Sequence, residues 1–188
     1  MSFSSNITGT RAMRHGLTLV EVLIVVVILG IAGAMVIPAM GTTGILRVQG
    51  AIRTVVADIT FAQSDAMAFQ QGRAVMFDTT GNLYRVVQVV NGGVDAANTM
   101  YDGTSAGKRM VMSFNTGDLG GARITQASFN GSGANLIFDD MGTPVTDASG
   151  NTPSTGGAIR IESEGNTVHD IIVEAYTGRV TVRRISGG

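Results

Sequence analysis

The residue with the strongest chemical claim on attention is a lone carboxylate in apolar surroundings. Residues 17–40 read LTLVEVLIVVVILGIAGAMVIPAM, and Glu21 is their one charge. A carboxylate inside a membrane segment costs about 2.5–3.5 kcal/mol on insertion scales, so such a group usually has a partner or a role. Nothing else charged lies in the run. Three partners stay open: another chain, a newly made chain terminus, or interfacial water near the headgroups. The other ionisable sets are weaker. His169-Asp170 is a lone pair in a strand-like run, with no nucleophile indicated beside it. Asp139, Asp140 and Asp147 share one loop and could gather around a hard cation, but their spacing is not that of an EF-hand. Arg179, Arg183 and Arg184 cluster near the C-terminus. Arginines on a strand can contact phosphates; equally, they are the charges that protect an edge strand from aggregation.

Motifs for enzyme chemistry are missing. There is no P-loop spacing, no G-x-S-x-G and no H-E-x-x-H. Gly131-Ser132-Gly133 does not extend into a dinucleotide fingerprint. With no Cys in 188 residues, disulfide frameworks, thiolate metal sites and Cys nucleophiles are excluded together. His15 and His169 are the two His, too few for a His-rich metal site. The expectation is a non-enzymatic protein with no cofactor and no metal. The 13 basic and 14 acidic residues nearly cancel, which excludes a strongly basic nucleic-acid module as a description of the whole chain.

The elements that must position these residues follow from periodicity. A run of 17–40 with one charge is long enough for a membrane helix, since about 20 apolar residues span a bilayer core. Arg11, Arg14 and His15 precede it, with no acid in residues 1–16. The positive-inside rule then keeps the N-terminus in the cytoplasm and sends the remainder out of it. Gly30 and Gly33 soften the run, and Pro38 bends or breaks it. Next, Ile45, Val48, Ile52, Val55, Ile59, Ala62, Ala66 and Phe69 recur at spacings of three and four, the mark of an amphipathic helix. Arg47, Gln49, Arg53, Asp58, Gln63 and Asp65 fall off that stripe, and Gln70, Gln71 and Gly72 suit its C-terminus. The stripe is expected to lie on a sheet of its own domain. From Arg73 on, eight short β-rich runs are expected: 73–78, 83–90, 109–115, 122–129, 134–139, 157–163, 168–175 and 178–185. Residues 79–82 and 176–178 read as hairpin turns. The fold class is α+β, with a leader over 1–16, an apolar helix over 17–40, an amphipathic helix over 41–72 and an antiparallel β domain over 73–188.

Gly16-Leu17-Thr18-Leu19-Val20-Glu21, behind a basic leader and ahead of an apolar run, resembles a type IV prepilin signal. The resemblance implies cleavage between Gly16 and Leu17 by a membrane prepilin peptidase, and N-methylation of Leu17. Leu17 stands where Phe or Met is commoner in that family. The resemblance also implies a partner for Glu21, namely the processed amine of Leu17 in a neighbouring subunit, which makes the carboxylate an assembly residue. An ordinary secretory signal is the rival. Ala32-Gly33-Ala34 offers a small-x-small cleavage site, but Glu21 inside the apolar core and the length of the run fit it poorly. Asn6-Ile7-Thr8 is a glycosylation-type triplet that removal of the leader would discard.

Further matches are looser. Arg53, Asp58, Ala62-Gln63-Ser64, Gly72-Arg73-Ala74-Val75, Phe138, Gly142 and Gly178-Arg179-Val180 are similar to the pseudopilin H and FimT-like group. That implies a pilin-like fold with two small sheets held on the helix, and a minor subunit. Two functions follow from the resemblance. One is a minor pseudopilin of a type II secretion system, in a short periplasmic pseudopilus used for protein export. The other is a FimT-like minor pilin of a type IV pilus, with Arg179, Arg183 and Arg184 as candidate DNA contacts during uptake. Implied partners are the prepilin peptidase, other pilins or pseudopilins, the inner membrane, and a secretion or pilus assembly platform, with nucleic acid only under the second function. Loss of Arg11 and Arg14 with the leader leaves a net charge of about −3, so any DNA affinity has to be local.

Overall fold

The computed structural model describes residues 18–39, 43–103, 106–131, 133–163 and 167–185. Gly16 and Leu17, the expected processing pair, lie outside the described residues, as do the basic residues of the leader. The chain divides into two compact units, Met1–Gly41 and Thr42–Gly188.

The described part of the first unit is the helix α1 (Leu19–Ala39). It is apolar all round. Its large side chains from Leu19 to Ile31 are 47–82% exposed. Among the described residues no helix is long and apolar enough to cross a membrane. The described side chains of α1 stop at Gly33, whereas the apolar run continues to Met40. The expected span over 17–40 therefore lies partly outside what is described.

The second unit is built on α2 (Thr43–Phe69). Val48, Ile52, Val55, Ile59, Ala62 and Ala66 are buried as the three-and-four spacing requires, and Ala51 joins them. Phe69 departs from the stripe. It is exposed, and the Arg73 guanidinium lies 5.9 Å from its ring centre. The helix stops earlier than Gly72 suggested. Gln70 takes the left-handed conformation (φ 50°), and the Gln71 N–H donates to the Ala66 carbonyl, a Schellman ending without glycine.

Among the described residues nine strands follow: β1 (Arg73–Asp78), β2 (Leu83–Gln88), β3 (Val111–Ser113), β4 (Ala122–Phe129), β5 (Asn135–Phe138), β6 (Pro144–Val145), β7 (Gly157–Ser163), β8 (Val168–Val173) and β9 (Val180–Ile185). They form two antiparallel sheets, ordered β3-β2-β1-β5-β6 and β4-β7-β8-β9. Three expected runs, 73–78, 122–129 and 157–163, are the strands themselves. The other five are shortened where pairing ends. β6 falls outside the expected runs because two residues carry no readable alternation. Two short 3-10 turns, Ala96–Asn98 and Gly117–Leu119, occupy stretches between the expected runs.

One core joins α2 to both sheets. Val75, Phe77, Tyr84 and Phe138 from the first sheet and Phe129, Ile159, Ile161 and Ile171 from the second close on the α2 stripe. Phe77 stacks against Phe129 with ring centres 5.9 Å apart, an aromatic contact between the two sheets. A smaller cluster of Ala74, Val87, Ile137 and Val145 covers the opposite face of the first sheet. The antiparallel α+β class expected from the sequence is the fold observed.

Candidate functional site

Two sites carry chemistry, one in each unit, and they use polar groups differently. In the first, Thr18 precedes α1 and its Oγ1 accepts a hydrogen bond from the Glu21 backbone N–H at 3.2 Å. The Val22 N–H donates to the Thr18 carbonyl. Thr18 thus caps the helix, and Thr18-x-x-Glu21 has the spacing of a capping box. A carboxylate in the first helical turn also faces the positive end of the helix dipole. Glu21 is exposed, and its carboxylate has no hydrogen-bond or ion-pair partner among the described residues. The helix cap therefore sits on the residue after Leu17, and leaves the first-turn carboxylate free to meet something outside the chain.

The second site is the anchorage of the β domain on α2. Three polar residues that fall off the apolar stripe each take a partner outside the helix. The Gln63 Nε2 donates to the Gly142 carbonyl at 2.9 Å and to the Thr177 carbonyl at 3.0 Å. One amide thereby ties the turn between β5 and β6 to the hairpin between β8 and β9. Both turns need glycine. A Cβ on Gly142 (φ 75°) would stand 2.7 Å from Met67 Cγ, and one on Gly178 (φ 67°) would stand 2.7 Å from Gln63 Nε2. Phe138 is fully buried beside them. Four of the residues that carried the looser family resemblance, Gln63, Phe138, Gly142 and Gly178, meet at this one point.

The other two anchors are charged. The Arg73 Nε pairs with Asp65, both side chains being at most 10% exposed. Its Nη1 donates to the Gln71 and Gly72 carbonyls, in the connection just past the end of α2. The Tyr84 hydroxyl, wholly buried on β2, donates to Asp58 at 2.7 Å. Desolvation pushes the Asp58 carboxyl above its ordinary range; the Tyr84 hydrogen bond works against that shift, and the Asp102 charge adds to it. The Tyr84 hydroxyl is raised too, first by burial and then by the Asp58 charge. In the sequence, Asp65 is distinguished only as a position off the stripe, and Asp58 and Gln63 by that and by the looser resemblance. The partner of Asp58 is 26 residues away, those of Gln63 are 79 and 114 away, and that of Asp65 is eight away. No local signal names them.

The remaining candidates separate. His169 and Asp170 are adjacent on β8, so their side chains take opposite faces and form no dyad. Asp170 is occupied by Arg160, whose Nε and Nη2 donate to its two oxygens at 2.8 and 3.0 Å. Asp139 Oδ1 accepts from the Met141 and Thr143 N–H groups, and Asp147 accepts from Ser149; each carboxylate stabilises its own turn. The Ser149 hydrogen bonds hold the Asp147 carboxyl below its ordinary range. Among the described residues no group of His, Asp and Glu could hold a metal ion. The C-terminal arginines do not share one surface. Arg179 pairs with Glu174, Arg183 lies opposite Asp170, and Arg184 lies on the other face opposite His169.

Comparison with known proteins bears on the N-terminus. Residues 11–37 match the family described as the prokaryotic N-terminal methylation motif. Comparison with curated proteins finds no match. The structure is similar to that of the minor pseudopilin EpsH from the type 2 secretion system of Vibrio cholerae, with 11% identity, a TM-score of 0.46, and coverage of 76% of this chain and 98% of that one. The segment around Gly16, Leu17 and Glu21 is thus a prepilin-like N-terminal methylation motif.

Proposed function

We propose that this chain is a non-enzymatic filament subunit, a minor pseudopilin of a type II secretion system. Prepilin peptidase cuts between Gly16 and Leu17 and methylates the new amine of Leu17. The apolar run then anchors the subunit once through the inner membrane, with the β domain outside the cytoplasm. On assembly, α1 moves from lipid to the packed interior of a pseudopilus. Glu21 meets the amine of a neighbouring subunit there, where an opposite charge recovers part of its desolvation cost.

One observation carries this reading. Within a methylation motif, an all-apolar helix exposes every described large side chain, and its single carboxylate has no partner among the described residues. The secretion machine is chosen over a pilus because the arginines invoked for DNA uptake are split by ion pairing and by strand face. The test is intact-mass analysis of the membrane-fraction protein together with Glu21→Leu. The wild-type chain is expected to begin at N-methylated Leu17, and Glu21→Leu is expected to be processed and inserted yet missing from sheared filaments. A chain that keeps residues 1–16, or a Glu21→Leu subunit that enters filaments at the wild-type level, overturns the reading.

A further inference from the structure

The open edge of the second sheet is built to take something. β9 is the last strand in the order β4-β7-β8-β9, so one side of it has no strand partner among the described residues. It is six residues long, and Thr181, Val182, Arg183 and Arg184 are all exposed. The Glu174 N–H donates to the Arg179 carbonyl at the start of the hairpin. In an antiparallel ladder that phase repeats every second residue. Thr181, Arg183 and Ile185 therefore bond to β8, while the N–H and C=O groups of Val180, Val182 and Arg184 point out of the free edge.

The side chains beside that edge are cationic and apolar in a definite order. Val182 lies opposite Ile171, which is fully buried against the core, so Val182 and Arg184 face the helix side of the sheet. There, Gln49, Ile52, Arg53, His169 and Val182 line a groove of about 260 Å³ between α2 and the β9 edge. Arg184 stands at its end, directly opposite His169 in the register. Neither Arg53 nor Arg184 has an ion pair among the described residues, and His169 Nδ1 is buried with no hydrogen-bond partner. No described carboxylate lines this groove. The acids of the same sheet, Asp170, Glu162 and Glu174, are on the opposite face, where Arg160 and Arg179 hold the first and last.

We infer that the open edge of β9 receives an acidic, extended segment of a partner protein as an added strand. The backbone of such a segment would pair with the outward groups of Val180, Val182 and Arg184, which is the β-augmentation mode of peptide recognition. On its groove-facing side an acidic residue would sit between Arg53 and Arg184. An apolar residue two positions away would cover Val182 and Ile52. The same arginines that disfavour pairing with a second copy of β9, by placing like charges across the new ladder, favour an acidic strand. The inference does not depend on filament assembly, because every residue it uses belongs to the second unit.

The experiment titrates the full chain, in detergent, with a blocked eight-residue peptide in which threonine alternates with valine and glutamate. A second peptide carries lysine in place of glutamate. The acidic peptide is expected to bind, to slow amide hydrogen exchange at Val180, Val182 and Arg184, and to weaken as salt is added. Arg53→Glu with Arg184→Glu is expected to lower its affinity at least tenfold. Val182→Pro removes one outward donor without touching the β8 pairing and is expected to do the same, with an unchanged melting temperature as the check on folding. Equal affinity for both peptides, or full binding by a folded Val182→Pro, overturns the inference. So does occupation of this edge by duplex DNA or by a second copy of the chain in preference to the peptide.

Discussion

α1 and α2 are both helices rich in aliphatic residues, yet one exposes its large side chains and the other is embedded in its own domain. Every large side chain of α1 from Leu19 to Ile31 is at least 47% exposed. In α2, Val55, Ile59, Ala62 and Ala66 are wholly buried. The difference is not hydrophobicity, for α1 is the more apolar, but its arrangement. α2 confines its apolar positions to one stripe, which two sheets can cover, and offers polar residues on the flanks that the sheets can bond. α1 is apolar on all sides, and no surface of one small domain can cover a whole cylinder. Under the proposed function its environment is lipid or other helices, and its one carboxylate finds its partner there.

Four substitutions sharpen that contrast, each read by denaturant melts of the full chain in detergent. The largest effect is expected at the foot of α2. Arg73→Ala leaves Asp65 buried without its cation and the α2–β1 connection without a donor, and should cost about 3–5 kcal/mol. Next comes a paired comparison. Ile59→Ala opens a cavity in the fully packed core and should cost about 2–5 kcal/mol. Val26→Ala, on the exposed helix, should leave the unfolding of the β domain unchanged. A matching loss from Val26→Ala would mean that α1 is packed within its own chain, and the contrast would fail. A smaller effect is expected from Tyr84→Phe, which strands the half-buried Asp58 carboxylate at about 1–3 kcal/mol.

The smallest effect is in the pH dependence, where two groups of the second unit act with opposite sign. Burial raises the Asp58 carboxyl, so the folded state holds that proton more tightly than the unfolded one. Its contribution is full below the unfolded carboxyl value and is lost as pH rises through the folded one. Burial, then the Arg184 charge, lowers the His169 imidazole. Its contribution is full above the unfolded imidazole value and is lost as pH falls through the folded one. Asp58→Asn keeps an acceptor for Tyr84. It should therefore raise stability at pH 7 relative to the wild type and have a vanishing effect in the acid range. His169→Gln should have its largest stabilising effect below about pH 6 and none above about pH 8, since a free imidazole titrates near 6.5. An Asp58→Asn effect independent of pH would mean that the carboxyl carries no raised affinity for its proton.

Periodicity makes the stripe of α2, the alternating strands and the all-apolar α1 legible in the sequence, because burial repeats with the period of the local backbone. Thr18 and Glu21 are legible as a motif, although the capping hydrogen bond between them shows only in the fold. The Gln63 anchorage is half legible. Gln63, Phe138, Gly142 and Gly178 stand out by resemblance, but nothing in their spacing shows that they touch. The arginine cluster is misleading for a related reason. Alternation puts Arg179 and Arg183 on one face and Arg184 on the other, but the sequence does not show that Glu174 takes Arg179.

By itself, then, the amino-acid order determined the element types and the presence of a methylation motif with one charge in an apolar run. Both follow from interactions within a few residues along the chain. Only the tertiary structure decided which polar groups are satisfied and which remain open. Asp58, Gln63 and Asp65 are closed by partners that the topology delivers, while Arg53, Arg184 and the β9 edge stay free among the described residues. The physical reason is that a hydrogen bond needs its two groups within about 3 Å. Across 79 or 114 residues of sequence that distance is set by sheet order and register, not by the residues themselves.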